Sequence, residues 1–151
     1  MSSDITSHPQ NLFLKNAVHT PRMFKLHSSA QFPPQRSAHT HKLFAPQSTS
    51  IKAHQTALLP LGLKTAFPSE YFLFITTTRS PLVSTGGVID SDYRGELGLI
   101  VCNAGDCDVT VERGECVGEG VFFKIVVPVF DVVEVLDDSV RGSDGFGSTG
   151  N

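Results

Sequence analysis

Between Thr56 and Leu136 every apolar run is short, rich in aromatic or β-branched residues, and soon closed by Gly, Pro, Asn or Asp. An amphipathic helix requires apolar residues recurring at i, i+3, i+4 and i+7, and no segment supplies that pattern convincingly. Runs of this length fit strands. The clearest is Tyr71, Phe72, Leu73, Phe74 and Ile75 followed by three threonines, expected to be a central strand. Leu59, Leu61 and Leu63 fall on one face by period two, while Pro60 and Gly62 assign that segment to a sheet edge or a bulge. Residues 97–102, 108–112, 121–127 and 131–136 read as further strands, and 23–26 as a short one. Pro33, Pro34 and Pro46 make residues 28–50 read as loop, so the core is expected to begin after them. Many short strands separated by turns must cover one face or close on themselves, which predicts an all-β sandwich, jelly roll or barrel.

At 151 residues the chain is the size of one domain, and it has no apolar stretch near the ~20 residues of a membrane-spanning helix. The net charge of -3 excludes binding nucleic acid by bulk charge. The charge is unevenly spread. Residues 1–55 hold six basic residues, one acid and all six histidines, whereas residues 56–151 hold six basic residues and fourteen acids. Cys102, Cys107 and Cys116 match neither a disulfide framework nor a zinc pattern, so a reducing compartment, cytoplasmic or nuclear, is expected. Organelle targeting by residues 1–22, polar and poor in acids, is the lesser alternative. His39 and His41 are expected to be a solvent-facing loop pair, and Cys102 and Cys107 a buried strand thiol and a loop thiol. Neither pair is given a role.

Two segments concentrate polar chemistry. Residues 87–96, GVIDSDYRGE, set carboxylates, a tyrosine and an arginine between apolar strands. A hairpin turn there would present Asp90, Tyr93 and Arg94 together: a carboxylate to position water, a ring to stack and a cation. A charged surface hairpin with no ligand is the competing reading. The tail from Arg141 to Asn151, RGSDGFGSTGN, has glycine N–H groups, the hydroxyls of Ser148 and Thr149, and a cation, a set suited to wrapping polyphosphate. Phe146 sits among those glycines, where it could close over a planar base, although composition alone favours a disordered Gly and Ser tail.

Together, and in this order, the two segments resemble the trimeric all-β dUTP pyrophosphatases, the dUTPases. The family carries a G-[VIL]-I-D-x-D-Y-x-G stretch and ends in R-G-x-x-G-F-G-S-T-G, and both are present from Gly87 and from Arg141. Arg79-Ser80 resembles the start of its second motif and Gly114-Glu115 the start of its fourth. The resemblance implies a distorted jelly-roll β barrel over residues 23–140, a flexible extension over 1–22 and a Gly-rich arm over 141–151 that closes on the nucleotide. It implies a homotrimer with shared sites, with dUTP as substrate and no membrane or nucleic-acid partner. The implied reaction is hydrolysis of dUTP to dUMP and pyrophosphate by water attacking the α-phosphorus, with Mg²⁺ held mainly by the substrate phosphates and by no metal-ligating residue of the chain. On matching positions, Asp90 orients the water and contacts the sugar, and Tyr93 packs under the deoxyribose. Gly87 and Ile89 belong to the strand whose backbone reads uracil. Arg79 and Ser80 bind phosphates from a second subunit. Arg141, Gly147, Ser148 and Thr149 clamp the terminal phosphates, and Phe146 stacks over uracil from a third.

The chain departs from the family at three motifs. In the first, A-G-[YLF]-D-L, the best register is His39-Thr40-His41-Lys42-Leu43, with Lys42 in the place of the acid. In the second, Pro81 follows Arg79-Ser80 and the stretch to Gly87 is too short for the family's helix. In the fourth, Glu119 stands where an amide is usual. Two alternatives therefore stay open. One is a chain of the same fold that binds nucleotide without turning it over, its His-rich front meeting a partner. The other is a wider nucleotide range that includes dCTP.

Overall fold

The computed structural model describes residues 20–34, 39–145 and 147, and its regular structure is entirely β. The strands are β1 (Arg22–Lys25), β2 (His41–Phe44), β3 (Thr49–Ile51), β4 (Thr56–Pro60), β5 (Leu63–Ala66), β6 (Tyr71–Thr77), β7 (Leu82–Ser84), β8 (Val88–Ile89), β9 (Gly98–Asn103), β10 (Val109–Val111) and β11 (Cys116–Lys124). Every pairing is antiparallel. The sheets run β2-β11-β6-β8, β4-β9-β7, β1-β5 and β10-β3, forming a distorted jelly-roll barrel.

Period-two alternation builds the core. Along β6, Leu73 and Ile75 point inward, and along β9, Leu99, Val101 and Asn103 do so. Leu59, Leu61 and Leu63 are buried together, although the segment divides into β4 and β5. β4, which ends at Pro60, is the edge of its sheet, where a residue without an N–H leaves no ladder bond unmade. β6 lies inside its sheet between β11 and β8. The buried side-chain amide of Asn103 ties loops to this core: its Nδ2 donates to the carbonyls of Ile51 (3.1 Å) and Cys107 (2.9 Å), and its Oδ1 accepts from the Gly105 N–H (3.0 Å). Such satisfaction is the condition for burying a polar group.

The structure corrects five sequence expectations. Residues 28–50 are not all loop: they contain β2 and the start of β3, and Ala30, Leu43 and Ala45 are buried, so the core begins before residue 50. Their apolar groups are too short to show a period. The strand expected over 121–127 is β11, which begins at Cys116 and ends at Lys124. No strand forms over 131–136, because that segment finds no partner among the described residues and Val132, Val135 and Leu136 are exposed. His41 is not a solvent-facing loop residue: it lies in β2 with its ring edge-on to Phe122, centroids 5.8 Å apart. Residues 87–96 do not form a hairpin, since β8 pairs with β6 while β9 pairs with β4 and β7. The polar stretch instead crosses from one sheet to another.

Candidate functional site

β8 is only two residues long, and its position is set by the glycine before it. The Ile75 N–H donates to the Gly87 carbonyl (2.8 Å), and a Cβ on Gly87 would lie 2.0 Å from the Ile75 carbonyl oxygen. Gly87 also has φ +146, so the close approach and the backbone angle both require glycine. Ile89 then pairs with Leu73 and packs against the core. The chain leaves the sheet at Asp90.

Asp90 is exposed at the start of a turn in which the Tyr93 N–H donates to its carbonyl (3.2 Å). The Tyr93 ring is 44% exposed, and its hydroxyl donates to the Glu96 carbonyl (3.0 Å). That ring lies where a side chain on Gly95 would be, with the hydroxyl 2.2 Å from an added Cβ. Glu96 anchors the far end of the turn by accepting from the Gly62 N–H (2.8 Å). Asp90 and Tyr93 thus belong to one braced, exposed turn. Arg94 instead donates to the carbonyls of Ser91 (2.7 Å) and Tyr93 (3.0 Å), so its cation solvates the turn itself.

Arg79 and Ser80 occupy the turn between β6 and β7. The Arg79 N–H donates to Thr77 Oγ1 (3.2 Å), its Nε donates to Glu115 Oε1 (2.5 Å), and its Nη1 donates to the Ser80 carbonyl. Remaining donors of the guanidinium fork can still meet an anion. Glu115 also accepts from the Glu112 N–H (2.9 Å). That backbone bond, followed by the hydrogen bond and charge of Arg79, outweighs partial burial and holds its carboxyl below the ordinary range. Sequence reasoning gave Glu115 no role. Its signal was present in Gly114-Glu115, but the partner lies 36 residues away.

Of the arm, Arg141 is exposed and its Nε donates to the Asp144 carbonyl (2.6 Å), and Gly147 is exposed. Phe146, Ser148 and Thr149 lie outside the described residues. Between barrel and arm, Ile125 is tied by its N–H to the Glu70 carbonyl (2.8 Å). Beyond it, Val126, Val129, Phe130, Val132, Val135 and Leu136 are 81–96% exposed.

Residues 31–150 match the dUTPase family profile. A deoxyuridine 5'-triphosphate nucleotidohydrolase of Solanum lycopersicum is 36% identical over 151 residues, covering 95% of this chain and 86% of that one. Among solved structures, a Staphylococcus bacteriophage 80alpha dUTPase with dUpNHpp superposes with a TM-score of 0.79 at 23% identity, over 87% of this chain and 99% of the other. A mutant dUTPase of phage phi11 of S. aureus, described for the coordination of a structural Mg(II) ion, gives a TM-score of 0.71 at 18% identity, over 80% and 100%. These two likenesses concern the fold.

Proposed function

The chain belongs to the dUTPase family, and on that premise we propose that it hydrolyses dUTP to dUMP and pyrophosphate. The observation that carries this reading is the braced turn on which Asp90 and Tyr93 are presented together, in a chain with this family's fold. The Asp90 carboxylate orients a water and takes its proton. The water oxygen bonds to the α-phosphorus as the bridge to the β-phosphorus breaks, and pyrophosphate leaves. Positioning and charge neutralisation supply most of the catalysis in such a step.

Tyr93 packs under the deoxyribose, and the strand backbone at Gly87 and Ile89 reads the base. Arg79 and Ser80 bind phosphate. The ion pair of Arg79 with Glu115 supports that assignment, because it fixes the guanidinium before substrate arrives. The arm completes the site, with Arg141, Gly147, Ser148 and Thr149 on the terminal phosphates and Phe146 over uracil. Closure of the arm would also exclude bulk water.

Among the described residues, no three His, Cys, Asp or Glu side chains come together to hold a metal ion. A Mg²⁺ that accompanies dUTP would be held mainly by the substrate phosphates, where it would neutralise charge developing in the reaction. We further propose a homotrimer. The exposed valines, Phe130 and Leu136 beyond β11 support it, since an apolar stretch of this kind marks a surface that another chain covers.

The test is pyrophosphate release from dUTP, with dTTP, UTP and dCTP as controls, by the wild type and Asp90→Asn. Turnover confined to dUTP and lost in Asp90→Asn is expected. Binding of dUTP without turnover would overturn the reaction and leave a nucleotide binder. For shared sites, Asp90→Asn chains mixed with Arg141→Ala chains should recover part of the activity, and no recovery would overturn the shared site.

A further inference from the structure

Two of the chain's departures from its family, far apart in sequence, meet in the fold. In the antiparallel ladder of β2 and β11, Lys42 and Glu119 are direct partners, and Glu119 is at the same time the partner of Thr76 on β6. Cross-strand partners share a face. Lys42, Glu119 and Thr76 therefore form one row on the side of the sheet away from the core, opposite to Leu73 and Ile75. Thr76 extends the row to β7, its hydroxyl donating to Ser84 Oγ (3.2 Å), which also accepts from the Thr77 N–H (2.7 Å). The turn that joins β6 to β7 carries Arg79 and Ser80.

The charges in this region decide what it can hold. The Arg79 cation is already matched by Glu115 at 2.5 Å. Glu119, half-buried, adds a second carboxylate to the end of the sheet that is to receive phosphate. Arg79 follows Thr76 by three positions, at most roughly 10 Å of chain, so this charge is felt there with only partial screening. Uncompensated, it would repel an anion. Lys42 is exposed, and its ammonium makes no ion pair within 4.0 Å among the described residues, so it can move toward either Glu119 or a ligand.

We infer that Lys42 is a binding residue for the triphosphate of the nucleotide and that Glu119 is its positioning partner, the two working as one charge-balanced couple. The inference rests on the dUTP reading. Lys42 gives the region a mobile cation across the ladder from Glu119, and Glu119 draws the lysine toward the row. An acid at 42 with an amide at 119 would sum to -1, whereas Lys42 with Glu119 sums to zero, so the carboxylate gained at 119 offsets part of the positive charge gained at 42.

The experiment measures affinity for dUpNHpp and for dUMP in four proteins: wild type, Lys42→Gln, Lys42→Arg and Lys42→Gln/Glu119→Gln, with thermal unfolding of each. A single cation near a phosphate, partly screened, corresponds to about a tenfold effect. Lys42→Gln should weaken dUpNHpp about tenfold and leave dUMP within about twofold. Lys42→Arg should retain affinity, and the double variant should recover at least about threefold of the loss because the repelling carboxylate has gone. Equal weakening of dUpNHpp and dUMP, or a double variant that shows no recovery, would overturn the couple. Pyrophosphate release by the wild type is followed in parallel. If the wild type binds dUpNHpp but releases none, the hydrolysis reading fails while the affinities still decide the couple, and if it binds no nucleotide both fail.

Discussion

Gly87→Ala tests whether the site is placed by backbone contact. In the native fold its Cα faces the Ile75 carbonyl so closely that a methyl group would lie 2.0 Å from the oxygen, well inside any real contact. The φ of +146 is a second obstacle. Holding a residue with a side chain in such a conformation costs about 1–3 kcal/mol. Parting β8 from β6 to relieve the clash also loses the hydrogen bond from the Ile75 N–H (2.8 Å), about 1 kcal/mol. The expected destabilisation is about 2–4 kcal/mol, a large share of the ~5–15 kcal/mol typical of a domain. For a chain of this size, that lowers Tm by roughly 5–15 °C. Denaturant unfolding checks the energy. Pyrophosphate release from dUTP, assayed well below the lowered Tm, should also fall more than tenfold, because Asp90 follows directly from the displaced strand. A Gly87→Ala protein within about 0.5 kcal/mol of wild type and equally active would refute the reasoning.

Other perturbations separate the parts of the molecule. Asn103→Leu strands the carbonyls of Ile51 and Cys107 and the Gly105 N–H, and denaturant unfolding should show a loss of about 3 kcal/mol or more. Gly95→Ala displaces the Tyr93 ring, so weaker dUpNHpp binding with a smaller change in Tm is expected, and unchanged binding would mean the ring does not meet the sugar. The Glu115 carboxyl, lowered from its usual value of 4.5, stabilises the fold above that pH. This contribution is lost as pH falls through the lower folded value, so wild-type stability should drop in that acid range and Glu115→Gln should flatten the drop.

Much of this protein is legible locally. Period two alone places Leu73 and Ile75, and Leu59, Leu61 and Leu63, on buried faces, because the pleat fixes which side a residue takes whatever strand lies beside it. The polar stretch from Gly87 to Glu96 is legible because Asp90 and Tyr93 lie on one turn of contiguous chain. Partnership between strands is a different matter. Nothing in residues 87–96 says that β8 joins β6 while β9 goes to β4 and β7, and the hairpin expectation fails for that reason. Residues 131–136 have the composition of a strand, yet composition does not supply a neighbour to complete the ladder. The ion pair of Arg79 with Glu115 and the register of Lys42 opposite Glu119 join segments far apart in sequence. Sequence determined the strand content, the inward faces and the polar turn, since each depends on neighbours along the chain. Tertiary structure decided the pairing and the electrostatic balance, since both depend on which distant segments compete best for the same buried edge.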